Sequence, residues 1–226
     1  MKLKILSISA LSFFCATAFA QTDTLSVGPP QIHDVPIPVE AFASNNGVSF
    51  QLIVSKHFNS NSRFGFFNVS QFTGNYTTED QNKNEMMTLA LATFDVWKGF
   101  SLNAGAYIDN FTGFSPTAGV QYVFANREFL IIALPRIDLI RNYNFELFGL
   151  VEYRPMFNAK WGLYTRVQAL YNENIKQEYH ERSYVNLRLG TAYENYQFGI
   201  GYNYDVYGPF KTSQNSIGGF LRAELF

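Results

Sequence analysis

The residues that could do chemistry in this chain are few. Its histidines are His33, His57 and His180, and its one cysteine is Cys15. No two histidines stand at metal-pair spacing, and without further thiols a structural zinc site lacks a ligand set. Asn82-Lys83-Asn84-Glu85 does not match a calcium loop, and no glycine-rich phosphate loop precedes a helical pattern. The chain therefore reads as one without metal or cofactor. One short run does bring a base, an acid and a nucleophile together: His180-Glu181-Arg182-Ser183. A serine attacks an ester only when a base takes its proton and a third group orients that base. Adjacency in sequence does not set that geometry, so the run reads as a polar loop containing a histidine. No catalytic residue is assigned, and whether the chain is an enzyme stays open, with a non-enzyme the leading expectation.

The elements that would position these residues begin after an export signal. Lys2 and Lys4 open the chain, and Ile5 to Phe14 is apolar but for Ser7, Ser9 and Ser12. Ala18-Phe19-Ala20 then has the small-x-small form of a cleavage site, so residues 1–20 read as a signal peptide with Gln21 as the mature N-terminus. The apolar run is too short to be a membrane helix. Cys15 follows Phe13 and Phe14, which is not a lipoprotein pattern, and cleavage leaves a mature chain with neither disulfide nor thiol.

The full chain has 226 residues and a formal net charge of −1, so nothing in its charge pulls it toward nucleic acid. It has 23 Phe and 14 Tyr, and charged residues make up only 15%. Soluble domains carry about 25% charged residues. After the signal there is no apolar run of about 18 residues, so no transmembrane helix is available. Few charges, many aromatics and no helical span together predict a membrane protein made of strands.

Period-two patterning supplies those strands. From Phe100 to Asp109, Phe100, Leu102, Ala104, Ala106 and Ile108 share one face, while Ser101, Asn103, Gly105, Tyr107 and Asp109 share the other. Similar alternation runs through 116–124, 160–171, 184–191 and 197–206. Further strands are expected near 47–58, 63–73, 85–97, 127–135, 144–154 and 214–226, without a fixed register. The breaks near Asn59–Ser62, Lys98–Gly99, Ala125–Asn126, Pro155–Asn158 and Glu194–Asn195 are short. Those near Gly74–Asn84, Asn110–Gly113, Arg136–Asn142, Asn172–Glu181 and Gly208–Gln214 are longer and more polar. Short periplasmic turns alternating with longer outer loops fit an all-β, up-and-down antiparallel transmembrane β-barrel. The count is about 10–12 strands. Twelve requires a first strand within Ile32–Ala43, against which Pro36 and Pro38 weigh. The expected layout is a signal peptide at 1–20, a periplasmic segment or first strand at 21–46, and the barrel at 47–226.

In such a barrel the apolar face meets lipid and the polar face lines the lumen. The lumen-lining candidates are Asp109, Gln121, Arg166, Gln168, Asn186, Arg188, Asn203, Asp205 and Arg222. Asp95, Glu146, Glu152 and Glu224 are expected to join them, with glycines 105, 119, 162, 190, 199 and 201. Mixed acids and arginines could pair into a filling network or line a narrow pore. Small barrels are filled by side chains and 16–18-stranded ones are open, and this size lies between. Tyr107, Tyr153, Tyr171, Tyr193, Tyr196, Trp97 and Trp161 fall near strand ends, as interfacial girdles require.

The last segment, Ile217-Gly218-Gly219-Phe220-Leu221-Arg222-Ala223-Glu224-Leu225-Phe226, ends on an aromatic residue. It resembles the ending of bacterial outer-membrane β-barrel proteins, a broad class. That resemblance implies an outer-membrane location, contact with outer-membrane lipid, and recognition by the barrel-assembly machinery. One departure is that Phe226 shares parity with Arg222 and Glu224, not with the apolar face. The function expected is a narrow channel or transporter for small solutes, or a structural or interaction barrel with a periplasmic or extracellular protein partner. The alternatives are a lipid-modifying hydrolase or acyltransferase, whose set would lie at the outer rim, and a soluble secreted ligand-binding barrel. The last would turn Leu102, Val167 and Ile200 inward.

Overall fold

A computed structural model describes residues 35–76, 84–140 and 143–225. The signal peptide, His33, residues 21–34 and Phe226 lie outside that range. Twelve antiparallel strands follow one another: β1 (Ile37–Ser44), β2 (Gly47–His57), β3 (Phe64–Asn75), β4 (Glu85–Trp97), β5 (Phe100–Asp109), β6 (Gly113–Ala125), β7 (Phe129–Asp138), β8 (Asn144–Tyr153), β9 (Trp161–Asn174), β10 (Tyr179–Tyr193), β11 (Tyr196–Tyr207) and β12 (Thr212–Leu225). Each pairs with its sequence neighbours, and β1 pairs with β12 to close the ring. Closure leaves no exposed edge, which is what allows a sheet to stand in lipid.

β1 settles the strand count at twelve. It pairs with β12 from Ile37↔Leu225 to Ser44↔Gly218, and with β2 only from Val39↔Leu52 onward. Pro38 therefore sits before the second ladder begins, near the start of the strand, where a missing N–H is tolerated. Pro135 leaves a visible trace. The β6–β7 ladder is continuous on either side but drops out between Gly119↔Arg136 and Tyr122↔Ala133.

The expected difference in connection length is not found. Both ends carry short and long links. The turn between β1 and β2 is just Asn45-Asn46, whereas the links at 58–63 and 154–160, expected to be short, are among the longer ones. The strands run further than patterning showed at the opposite end. Arg136 to Asp138 belongs to β7, and β9 continues to Asn174. Only the order of the turns survives: both described termini and the β2–β3, β4–β5, β6–β7, β8–β9 and β10–β11 links share one end. The other end is called outer here, by the convention that barrel termini are periplasmic.

Candidate functional site

The outward face is predominantly apolar around the ring, with a small polar group at Asn68, Ser70 and Thr88 on β3 and β4. Leu102, Val167, Leu187 and Ile200 are exposed, with Ile200 at 63%. Aromatic pairs ring the end that carries the termini: Phe129 with Tyr153, Trp161 with Tyr193, and Phe100 with Tyr122, at centroid distances of 4.6, 4.6 and 4.8 Å. Water would not tolerate an apolar belt of this kind, whereas lipid requires one. This is a membrane-spanning barrel. The inverted arrangement of a soluble ligand binder, with Leu102, Val167 and Ile200 inside, is not the one found. Tyr107 departs from the expected girdle. It faces inward, with the Arg136 guanidinium 4.5 Å from its ring centre.

All nine lumen candidates lie on the inward face, together with Asp95, Glu146, Glu152 and Glu224. Facing inward does not mean lining an open bore. Gln168 is 0% exposed and Arg222 1%, because side chains from distant strands meet over them. The charges pair in levels. In the lower level Arg222 donates to Gln197 at 2.8 Å and Glu224 at 3.0 Å, and reaches Glu152 on β8 at 3.3 Å. Tyr164 donates to the same Glu152 at 3.1 Å, and Arg154 pairs with Glu224. In the middle level Arg166 on β9 and Arg188 on β10 both donate to one oxygen of Glu40 on β1, at 2.7 and 2.9 Å. Arg188 also donates to Asn203 at 2.7 Å and lies 4.2 Å above the Phe42 ring. Gly201 makes that stacking possible, since a Cβ there would stand 2.7 Å from Phe42 and 2.9 Å from the Arg188 nitrogen.

Two clusters close the outer level. Arg136 grips Glu146 with two nitrogens, at 2.9 and 2.8 Å, and Asp138 at 2.6 Å. Arg182 on β10 pairs with Asp205 at 2.7 Å and with Glu85 on β4 at 2.9 Å. Asp109 serves another purpose. It caps the β5–β6 turn by accepting from the Phe111 N–H at 2.7 Å and from the Thr112 hydroxyl, also at 2.7 Å.

The other half of the interior is an apolar core. Ile53, Phe67, Val69, Leu89 and Leu91 from β2–β4 pack with Leu130, Ile132, Leu134, Phe148 and Leu150 from β7–β8. Patterning missed this core for a physical reason. Where the inward face is also apolar, period two vanishes, and Phe129–Pro135 of β7 and Leu147–Val151 of β8 read as unbroken apolar runs. Glu40 escapes patterning because Pro36 and Pro38 mask the strand signal around it.

Small open spaces remain in the interior, two of them along the polar wall from β10 round through β1 to β4. A cavity of about 50 Å³ opens at the outer end among Ser44, Thr73, Glu85, Arg182, Asn186 and Asp205. It shares Phe42, Ser49, Gln71, Asn186 and Asn203 with a second space of about 10 Å³ that reaches Glu40 and Arg188. A third, also about 10 Å³, is mainly apolar and lies between Pro38, Ile53, Leu130 and Leu150 on one side and Glu152, Arg154 and Arg222 on the other. Glu40 Oε2, Arg166 Nε, Gln168 Oε1 and Asn186 Oδ1 are buried in the interior without a protein partner. Buried polar atoms of this kind are completed by water, and spaces of these sizes admit one to a few molecules.

No family model and no curated protein sequence matches this chain. Among solved structures it is similar to "KdgM porin in complex with disordered oligogalacturonate", at 12% identity over 85% of this chain and 100% of that one, with a TM-score of 0.47. It is also similar to a NanC porin, at 12% identity over 84% and 100%, with a TM-score of 0.46. The outer membrane protein opdK from Pseudomonas aeruginosa follows at 9% identity over 76% and 65%, with a TM-score of 0.38. At these identities and TM-scores the likenesses bear on neither cargo nor mechanism, and the interior has to speak for itself.

Proposed function

We propose that this chain is an outer-membrane channel for small polar solutes, held narrow by its own side chains. The observation that carries this reading is the pair of adjoining cavities, sharing five lining residues, that lie between the outer mouth and the Glu40–Arg188 pair. A barrel whose only role was structural would have no reason to keep cavities along one polar wall when apolar packing fills the other. A solute entering from outside meets Arg182 and its acids, then two guanidinium groups facing one carboxylate. That middle level carries a net positive charge, so anions and neutral polar solutes are favoured over cations.

The test is conductance of the purified, folded protein in planar lipid bilayers. Small, discrete openings with an anion-selective reversal potential in a salt gradient are expected. Glu40→Gln removes the one carboxylate at that level while keeping its shape, and should raise anion selectivity. Silence across voltages and solutes, in the wild type and in variants of the outer ion pairs, would discard the channel and leave a structural barrel.

A further inference from the structure

We infer that His180 and Ser183 form a base–nucleophile pair that hydrolyses acyl esters of membrane lipid at the outer rim of the barrel. This site is separate from the interior and independent of the channel reading. His180 Nε2 stands 2.8 Å from Ser183 Oγ, and His180 Nδ1 stands 3.1 Å from the Gly208 carbonyl oxygen. The second contact fixes the chemistry of the first. A carbonyl can only accept, so Nδ1 carries the ring proton and donates it to Gly208. Nε2 is then the bare nitrogen, and the Ser183 hydroxyl donates to it. A serine hydrogen-bonded to a base, with that base oriented by a third group, is the arrangement acyl transfer needs.

The strand is built to produce this pair. Arg182 points into the barrel, so Ser183 points out, on the face of Val185 and Leu187. In a regular strand His180 would lie on the opposite face from Ser183. The β9–β10 ladder shifts register between His180 and Arg182, and His180 pairs with Glu173 while Arg182 pairs with Asn172. The extra residue, Glu181, turns the imidazole onto the outer face beside Ser183, which is a known use of a bulge. The same residue locks the turn opposite, because its carbonyl accepts the Gly208 N–H at 2.8 Å. Gly208 has φ of +65°, a conformation that suits glycine. Its backbone thus receives one bond and returns another, which clamps the imidazole.

The surroundings set the substrate class. Ser183 pairs with Tyr171 on one side and Val206 on the other, and the Tyr171 ring lies 6.0 Å from that of His180. Val185 and Tyr204, one step further into the membrane, are exposed to lipid. An acyl chain can lie on this apolar surface with its ester at the level of Ser183 and its polar alcohol toward the outside. Ser183 Oγ then bonds to the acyl carbon while its proton passes to His180 Nε2. The bond from that carbon to the lipid alcohol breaks, and the alcohol oxygen takes the proton. Water next adds to the acyl carbon, giving a proton to Nε2, and Oγ leaves with that proton. One ester and one water become one carboxylic acid and one alcohol.

The experiment uses the full folded barrel in detergent micelles, with folding verified by heat-modifiable gel migration. An alkyl fluorophosphonate, which is selective for activated serines, is mapped by mass spectrometry, and fatty-acid release is followed from mixed micelles of a long-chain phosphatidylcholine. Labelling of Ser183 and release of fatty acid are expected. Both should be lost in Ser183→Ala and should fall by about a hundredfold or more in His180→Ala. Absence of label and of release in the folded wild type overturns the proposal, as does label on a different serine. Turnover of a soluble short-chain ester without turnover of phospholipid overturns the substrate class. The wild-type mapping decides even if a variant fails to fold.

Discussion

Arg182 and Glu85 form an ion pair of 2.9 Å across the barrel, between β10 and β4, which stand opposite each other in the closed ring. Few side-chain pairs can bridge a bore of twelve strands. Here a long arginine, steadied by Asp205 at 2.7 Å and lying 4.9 Å above the Tyr207 ring, meets a glutamate at the first position of β4. The pair works as a bar across the outer mouth. Glu85→Gln should therefore enlarge the openings severalfold in bilayer recordings. Its cost in stability should be only about 1 kcal/mol, because both groups retain some contact with water. Unchanged conductance with a folded barrel would mean that the bar does not limit passage.

The lower level should behave differently. Glu152 and Arg222 are each 1% exposed. Glu152→Ala leaves a buried guanidinium short of a partner and a tyrosine short of an acceptor, and should destabilise the barrel by about 3–5 kcal/mol. Urea unfolding in lipid vesicles reads this directly. A loss below about 1 kcal/mol, the range of an exposed pair, would show that water reaches Arg222 freely.

The inner and outer apolar residues can be told apart by substitution. Leu134 is 0% exposed inside the barrel and should cost about 2–5 kcal/mol as Leu134→Ala, through lost packing and a cavity. Leu187 faces lipid from the middle of β10, and Leu187→Arg should cost about 2–4 kcal/mol by placing a charge near the membrane midplane. Equal tolerance of Leu187→Arg and Leu187→Ala would argue against lipid on that face.

Ring closure rests on β1. A chain whose mature part begins at Gly47 would leave β2 and β12 as open edges. Open edges are not viable in lipid. It should fail to give the compact, heat-modifiable form that the longer chain gives, whereas a start at Val35 should keep it. Assembly of the shorter chain into a stable barrel would imply that β2 and β12 can pair directly.

How much of this was legible beforehand follows from which signals are local. Alternation is local, so the strands β5, β6, β9, β10 and β11 and the inward side of Arg166, Arg188 and Arg222 could be read from the chain alone. The apolar half of the interior could not, because Leu130, Ile132 and Leu134 alternate with residues equally apolar and leave no period to detect. Nor could connection lengths be read, because polar strand ends such as Asn172–Asn174 look like loop. The partners of each charge are a matter of tertiary structure. Glu40 and Arg166 are separated by 126 positions, and only curvature of the closed sheet brings them within 2.7 Å. His180 and Ser183 show the same division at short range. Their residue types were visible in the sequence, but alternation places them on opposite faces. Their meeting depends on one bulged residue and a carbonyl from the next hairpin, both of which the fold supplies.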